Sequence, residues 1–299
     1  MNAARIAPRG LLLTIAAVQP IFAGATFVFA RYVLQRLDPF TVAFLRFSLS
    51  TIILCSIACL MNRRSGVIPI EKRDWLSIVS LGCIIIILNQ VTYLYGQQFT
   101  TAVHGGLLFT LTPVVVYVMA IKILGEKWSR LRGLGILLAV LGAALIFFEK
   151  GLKLEKEMLK GELIILFAVF VWAYYTVRGK PLVEKYGAFR ITAYALGAGS
   201  IVYFPFGLYR TLNADWSQMD TFGWVSIGYI AIGTSVVAYS MWYWLLKYLD
   251  ASQLAVLNNL QPIVAGLLGF ILLGEVATLP FILAGAIILA GVTITQKAK

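Results

Sequence analysis

The sequence predicts an all-α polytopic membrane protein, with ten transmembrane helices arranged as two inverted five-helix repeats. The first observation is composition: 60% of the 299 residues are hydrophobic and 13% are charged, whereas about 25% of an average soluble domain is charged. The second is a series of apolar runs, each near the roughly 20 residues needed to cross a bilayer. The third is a repeat of one half of the chain in the other. Together they exclude a soluble enzyme, a disordered chain and a nucleic-acid-binding module, and they make the lipid bilayer the expected surroundings.

Ten apolar runs follow one another along the chain. Hydropathy places them near residues 11–30, 40–61, 75–95, 102–122, 133–148, 161–178, 188–209, 222–246, 251–273 and 279–295. The first run also has the pattern of a secretory signal peptide, because Arg5 and Arg9 precede it and residues 23–25 resemble a cleavage site. The repeat requires a span at this position, so we interpret the run as an uncleaved first helix. The runs are too long for strands and lack the alternation of a membrane β-barrel.

The basic residues predict the orientation of these helices. With the N-terminus inside, 17 of the 25 Lys and Arg residues fall in inside segments, 7 fall in outside segments and Arg46 lies within a span. Positive residues mark the cytoplasmic side, so we expect both termini in the cytoplasm. The predicted units are a first repeat at 1–149, an outer connecting loop at 150–160 and a second repeat at 161–299.

The repeat emerges when the chain is shifted by 149 residues. Leu124-Gly125-Glu126 then falls on Leu273-Gly274-Glu275, Pro113 falls on Pro262, and Gly142 falls on Gly291. Each half has five spans, an odd number, so the two halves are expected to insert with opposite orientation. Inverted repeats of this kind are an architecture of secondary transporters, whose substrate site lies between the repeats near the middle of the membrane.

The motifs of each half resemble a known family. An aromatic-Ala pair stands early in each half, as Phe22-Ala23 and Trp172-Ala173, and Leu45-Arg46 stands in the second helix of the first half. With the proline, the Leu-Gly-Glu motif and a glycine-rich fifth helix, the chain resembles the EamA-type repeat over about residues 10–296. Two such repeats make the ten-helix fold of the drug/metabolite transporter superfamily. The resemblance implies export of small metabolites, often amino acids, across the bacterial inner membrane, with the aromatic amino-acid exporters as the most similar branch. The second half departs from the pattern, because its second helix lacks Leu-Arg.

Polar and aromatic side chains within the spans are the candidate substrate contacts, because polar groups there usually face a bundle interior or a cavity. The candidates share helix faces or precede the repeated proline: Asn89, Tyr93 and Gln97; His104 and Thr112; Trp172 and Tyr175; Tyr239 and Trp242; and Asn258, Asn259 and Gln261. The alternative is that they hold the helices together by hydrogen bonds, and that Trp242 lies in an interfacial aromatic belt. The single histidine, His104, is interpreted as a packed side chain rather than a proton-coupling group, with substrate contact left open.

A second set of residues is expected to have structural or hinge roles rather than to contact the substrate. Pro113 and Pro262 are predicted at the middle of their helices, where each would free a backbone carbonyl. Arg46 is interpreted as structural, although snorkelling or binding of a substrate carboxylate are the alternatives. Glu126 and Glu275 are expected to form helix caps or local ion pairs.

The residues that are absent also limit the function. Cys55 and Cys59 are four residues apart, but no further ligands accompany them, so we interpret them as small buried side chains and expect no metal and no cofactor. No Asp or Glu falls in the middle of a predicted span, which favours a uniport-like carrier for a small-molecule substrate, acting as a monomer. Efflux of lipophilic cations is the alternative, although it would call for a buried acid. A passive channel is a further alternative, and an integral-membrane enzyme is disfavoured because no catalytic set converges.

Overall fold

The computed structural model describes residues 8–62, 68–99, 108–149, 158–264, 267 and 279–298. Within these ranges the fold is helical. The helices are α1 (Arg9–Leu34), α2 (Pro39–Asn62), α3 (Lys72–Gly96), α4 (Thr112–Leu124), α5 (Arg130–Glu149), α6 (Met158–Tyr186), α7 (Ala188–Leu212), α8 (Thr221–Tyr248), α9 (Ala251–Leu260, continuing through 261–264) and α10 (Leu279–Lys297). This order confirms the all-α polytopic prediction.

Six of these helices are long and apolar enough to cross a membrane over the described residues: α1, α2, α3, α6, α7 and α8. Shorter apolar helices are found in α4 and α10. Helix α6 continues to Tyr186, well past the predicted end at 178. Its added turns carry Lys180, Glu184 and Lys185, and Lys180 lies 3.9 Å from Glu184 one turn later, so the helix extends beyond its apolar stretch.

Equivalent helices of the two halves pack against each other in antiparallel fashion. Helix α2 contacts α7, where the Tyr203 hydroxyl donates to the Phe40 carbonyl at 3.1 Å and the Cys55 thiol lies 3.6 Å from the Ala193 carbonyl. Helix α5 contacts α10 in the same way, because Gly142 lies against Ala284 while the earlier residues of α5 contact Gly291. Antiparallel packing of equivalent helices is the arrangement that opposite insertion of the two halves requires.

The first helix of each half packs on the third helix of the other half. In α1 the Phe22 carbonyl accepts a hydrogen bond from the Tyr229 hydroxyl of α8 at 3.1 Å. In α3 the Asn89 amide donates to the Ala168 carbonyl of α6 at 2.7 Å. Helix α1 is therefore an integral part of the bundle, and the contact pattern is the same when the two halves are exchanged.

Four helices are irregular, and they form two equivalent pairs. Helix α3 widens into a π-helical segment at Ile84–Val91, and α8 does so at Ile230–Ala238. Helix α9 tightens into a 3₁₀ segment at Val256–Leu260, whereas α4 begins at Thr112, after a turn at 110–111 that separates it from the helical residues 108–109.

The start of α4 corrects the prediction of one continuous helix over 102–122. Pro113 lies in the first turn of the regular helix rather than at its middle, where a missing backbone N–H costs little. Shifting the chain by 149 residues places 110–111 on 259–260, the end of the 3₁₀ segment. The backbone is thus irregular just before each repeated proline.

The ion pairs divide the bundle into two ends. At one end Lys185 of α6 lies 2.6 Å from Glu71 and 2.8 Å from Asp74. At the other, Arg210 lies 3.2 Å from Asp38 and Arg36 lies 3.4 Å from Asp220. We call the first the basic end and the second the opposite end. Every ion pair among the described residues joins segments that the charge pattern assigns to the same side of the membrane.

Candidate functional site

Five aromatic side chains from α6 and α8 form one cluster inside the bundle. The ring of Trp172 lies 5.5 Å from that of Tyr239, 5.5 Å from that of Trp242 and 5.7 Å from that of Tyr175. Tyr175 in turn stacks on Tyr243 at 5.1 Å. We call these five residues the aromatic cluster. It unites all four aromatic candidates of the sixth and eighth helices, and it adds Tyr243.

The aromatic cluster is buried, and some of its polar atoms have no protein partner. Trp172 is 8% exposed and Trp242 is 1% exposed. Among the described residues, neither indole N–H nor the Tyr243 hydroxyl has a hydrogen-bond partner. Because a buried donor without a partner costs about 1–3 kcal/mol, these groups are suited to hydrogen-bond a molecule that enters the cluster. Their depth also places Trp242 inside the bundle, which contradicts the aromatic-belt alternative.

Arg46 lies beside the aromatic cluster and is 3% exposed. Its Nε donates to the Ser235 hydroxyl at 2.8 Å, and its Nη1 donates to the Gln90 carbonyl oxygen at 2.8 Å. Its Nη2 lies 3.4 Å from the Tyr239 hydroxyl, and the guanidinium carbon lies 4.8 Å from the ring centre of Phe47. The guanidinium therefore connects α2 to α3 and α8, and it reaches the cluster through Tyr239.

The π-helical segments supply the groups that face Arg46. In α3, Asn89 and Gln90 are consecutive, and the Gln90 amide donates to the Asn89 carbonyl oxygen. In α8, the Ser235 hydroxyl donates to the Ile230 carbonyl five residues earlier, at 3.2 Å. A π turn carries an extra residue per turn and is found frequently at functional sites. Here the π turn directs certain side chains towards the centre of the bundle, whereas a regular helix would point them elsewhere.

A second group of polar candidates lies around the irregular parts of α4 and α9. The ring of Tyr93 meets that of Phe109 edge-on at 5.0 Å. In the orientation that satisfies both ends of its amide, Asn259 bridges the Thr110 carbonyl and the Val140 N–H, each at 3.3 Å. Gln261 donates to Asn258 at 2.9 Å.

Two candidates, one at the end of α3 and one at the start of α4, have unpartnered oxygens. These are the Gln97 amide oxygen and the Thr112 hydroxyl, which are buried without a hydrogen-bond partner in the described part of the chain. Of the remaining candidates, His104 and Glu275 lie outside the described residues, and Pro262 belongs to the helical stretch 261–264.

A buried ionic network joins the two halves at the basic end. Glu126 follows α4 and accepts hydrogen bonds from the Ala251 N–H at 2.7 Å and from the Ser252 hydroxyl, so it caps the start of α9. Arg132 of α5 lies 3.2 Å from Glu126 and 2.9 Å from Asp250. A pocket of about 320 Å³ is lined by Glu126, Arg132 and Asp250 together with Lys180.

Several residues of the site escaped the sequence analysis. Gln90 and Tyr243 each follow a candidate directly, and a search along one face of a regular helix rejects the next residue in the chain. Ser235 lies in the other π segment, four residues before Tyr239, so the face shared with Tyr239 is the signal that could have found it. Arg132 counts among the basic residues of the inside segments, and nothing in its local sequence indicates that its side chain is only 5% exposed.

The cysteines also differ from their interpretation as small buried side chains. Cys59 is exposed and Cys55 is half-buried, because this part of α2 turns one face away from the bundle. Among the described residues, no group of His, Cys, Asp and Glu could hold a metal ion.

Comparison with known proteins places this architecture among transporters. A family model described as the EamA-like transporter family matches residues 8–148 and again residues 159–296. A protein of Archaeoglobus fulgidus named "uncharacterized transporter" is 30% identical over 296 residues, which cover 96% of this chain and 97% of that protein. The transporter YetK of Bacillus subtilis is 25% identical and covers 97% of this chain and 88% of its own length.

Two further matches bear on cargo and fold. A protein of Streptantibioticus cattleyicolor named "probable terminal-alkyne amino-acid exporter" is 26% identical over 264 residues, covering 87% of this chain and 86% of that protein. A solved crystal structure superimposes with a TM-score of 0.78 at 16% identity, covering 97% of this chain and 98% of the other, which shows a shared fold.

Proposed function

The chain belongs to the EamA-like transporter family, and from this membership we propose that it is a secondary carrier that exports amino acids, especially aromatic or other neutral ones, and related small metabolites by alternating access. The observation that carries the proposal is the aromatic cluster. It is buried where α6 and α8 meet α2 and α3, and its indole N–H groups are unpartnered. A flat or apolar side chain would stack on the rings while its polar end meets the unpartnered donors.

The irregular helices favour a carrier function over a purely structural role for these helices. Substrate sites in secondary transporters are typically built at the interface of inverted repeats from discontinuous helices. Here the two π-helical segments flank the aromatic cluster, and the turn before α4 and the 3₁₀ segment of α9 flank the second polar group. We assign the substrate path to the space between these two groups.

The network at the basic end is the contact that alternating access would have to break. Glu126 and Arg132 belong to the first half, and Asp250 and Ser252 to the second. Separation of these pairs would open the basic end to water. By the positive-inside rule, we assign this end to the cytoplasm of a bacterial inner membrane, with both termini inside. Alkaline phosphatase and fluorescent-protein fusions at the two ends test that assignment.

The energy source is proposed to be the substrate gradient. Within the described residues, acidic side chains lie in connections or within five residues of a helix end. A proton relay typically uses a carboxylate inside the membrane. We therefore propose uniport-like transport by a single chain rather than proton antiport.

The experiment is flux into proteoliposomes that hold the purified protein. A panel of labelled amino acids, with a lipophilic cation added as the alternative cargo, is assayed for saturable counterflow with and without an imposed pH gradient. We expect counterflow of at least one neutral amino acid, without uphill accumulation tied to the pH gradient. Ion-like conductance without counterflow would contradict the carrier, and counterflow of the cation alone would contradict the cargo.

A matched pair of tryptophans tests the site. Trp172→Ala removes a ring of the aromatic cluster and is expected to raise the half-saturation concentration about 2- to 10-fold, from the 0.5–1.5 kcal/mol of an aromatic contact. Trp224→Ala is the control, because Trp224 is 52% exposed and lies at the start of α8. Equal effects of the two substitutions would place the site elsewhere.

A further inference from the structure

Arg46 is a buried cation for which the described part of the chain supplies no carboxylate. Its three hydrogen-bond acceptors are the neutral oxygens of Ser235, Gln90 and Tyr239. Arg132 provides the contrast, because it is about equally buried and has both Glu126 and Asp250 within 3.2 Å. Over the described residues, Arg132 at the basic end is therefore neutralised, whereas Arg46 at the centre has no counter-charge.

The guanidinium also has donors to spare. Arginine carries five N–H groups in a planar fork, and three hydrogen bonds are formed here, one of them at 3.4 Å. A charged group deep in a bundle is expensive and usually marks a substrate or ion pathway. A planar anion bound here would accept hydrogen bonds from the free N–H donors and would neutralise the charge of the guanidinium.

The surroundings of Arg46 indicate what kind of anion would bind. Nη2 reaches the Tyr239 hydroxyl, the Tyr239 ring contacts Trp172, and Trp172 contacts Trp242. The positive charge thus stands at one side of an aromatic surface that carries two unpartnered indole N–H groups. A molecule with a carboxylate at one end and an apolar body at the other matches both parts.

We propose that Arg46 is the counter-charge for the carboxylate of the transported molecule, which makes the substrate an anionic or zwitterionic carboxylate with its apolar part against Trp172. This inference deepens the proposed function and rests on it. It revises the interpretation of Arg46 as a structural residue. It also disfavours a lipophilic cation, because a cation in the aromatic cluster would be repelled by Arg46 with no acid nearby to offset the repulsion.

A carboxylate fits this environment better than a phosphate does. Two parallel N–H donors of a guanidinium match the two oxygens of a carboxylate. A phosphate monoester carries nearly two charges at neutral pH. Among the described residues, Arg46 is the cation that contacts a ring of the aromatic cluster, and a single guanidinium would leave a second charge uncompensated.

The test is ligand binding to the purified full-length protein, measured by tryptophan fluorescence and by thermal stabilisation. The probes are matched pairs in which the amine lacks only the carboxylate of the acid: phenylalanine and phenethylamine, and leucine and isopentylamine. In the wild-type protein we expect at least one acid to bind more tightly than its amine. In Arg46→Gln we expect the acid to bind about 10- to 100-fold more weakly, through the loss of a charge-assisted hydrogen bond. The cationic amine should bind as well as before or better, because its repulsion by the guanidinium is removed.

Two variants separate recognition from folding. Arg46→Lys keeps the charge without the planar fork, so it should fold and recover part of the preference for the acid. Arg36→Gln is the matched control, because Arg36 already pairs with Asp220 at 3.4 Å, and it should leave the preference unchanged. The proposal is overturned if no acid binds better than its amine, or if folded Arg46→Gln and Arg46→Lys proteins keep the wild-type preference.

Flux measurements distinguish a failure of the proposed role of Arg46 from a failure of the proposed carrier function. Selective binding of an acid by the wild type without any saturable flux would overturn the carrier and leave Arg46 as a carboxylate site. Flux of an acid that Arg46→Gln carries with unchanged half-saturation would overturn the role of Arg46 and leave the carrier.

Discussion

The contact between α3 and α7 gives the sharpest test of the packing, through the substitution Gly82→Ala. The added methyl carbon would lie 2.1 Å from the Ala195 carbonyl oxygen and 2.7 Å from the Gly199 nitrogen. Both atoms belong to the backbone, so no flexible side chain can move aside. Since ordinary contact begins at 3.4 Å, the two helices would have to separate locally by about 1.3 Å.

The cost follows from that displacement. A gap of 0.5–1 Å already forfeits about a quarter to a half of the dispersion energy of the contacting atoms, and van der Waals packing is a main force that holds membrane helices together. Overpacking of a close-packed site typically costs about 1–3 kcal/mol. We expect Gly82→Ala to reach at least the upper part of this range, because Gly199 opposes it equally closely, with the Gly82 carbonyl 2.2 Å from a carbon added there.

The assay is unfolding of the purified protein in detergent by titration with a denaturing surfactant. Gly228→Ala is the control, because a carbon added at Gly228 of α8 meets nothing within 4 Å. There the better helix propensity of alanine should leave stability unchanged or raise it by up to about 1 kcal/mol. If Gly82→Ala is as stable as Gly228→Ala, the close approach of α3 and α7 is wrong.

Three further predictions concern the helix ends. Glu126→Gln should destabilise the protein by about 1.5–3 kcal/mol, because it weakens charge-assisted hydrogen bonds to Arg132 and Ser252, while Asp250 still pairs with Arg132. Arg36→Gln should have a much smaller effect at its more exposed pair, and equal losses in surfactant titration would contradict the network. Gly125→Ala should cost about 1–2 kcal/mol by the same measurement, because Gly125 ends α4 with φ at +71° and nothing within 4 Å to clash, and an unchanged midpoint would refute this. The hydrogen bonds from Tyr32 and from the Gly223 N–H hold the pKa of Asp220 below its ordinary value, so its carboxylate stabilises the fold above about pH 3.9, and that contribution is lost as the pH falls through the lowered pKa. The difference in melting temperature between the wild type and Asp220→Asn should therefore be constant from pH 7 to 5 and shrink below pH 4, and a difference that grows on acidification would reverse the sign.

Apolar length and the spacing of repeated motifs were sufficient to predict the helices, because both are properties of the sequence itself. The limits of the prediction appear where backbone geometry depends on neighbouring helices. The π-helical segment at Ile84–Val91 has no local sequence signature, so periodicity predicts a regular helix there and excludes Gln90 from the face of Asn89. Periodicity also fails to predict the turn before Thr112, although Pro113 indicates its position.

The candidate site is likewise predictable from the sequence only in part. Aromatic residues three or four apart on one helix are predictable from periodicity, and Trp172, Tyr175, Tyr239 and Trp242 do meet in one cluster. Pairing between distant residues is not predictable in this way. Arg46 donates a hydrogen bond to Ser235, which lies 189 positions later in the chain. The local sequence around neither residue predicts this contact.

In the proposed carrier, the charge of Arg46 would also affect the rate at which the protein reorients between the two faces of the membrane. A closed centre that holds only the guanidinium keeps an unneutralised charge away from water, whereas a centre that holds a carboxylate is neutral. We therefore expect the empty protein to have the higher barrier to reorientation and the loaded protein the lower one. Such a kinetic asymmetry makes one-for-one exchange faster than net release, so substrate on the far side should accelerate the exit of substrate from the near side.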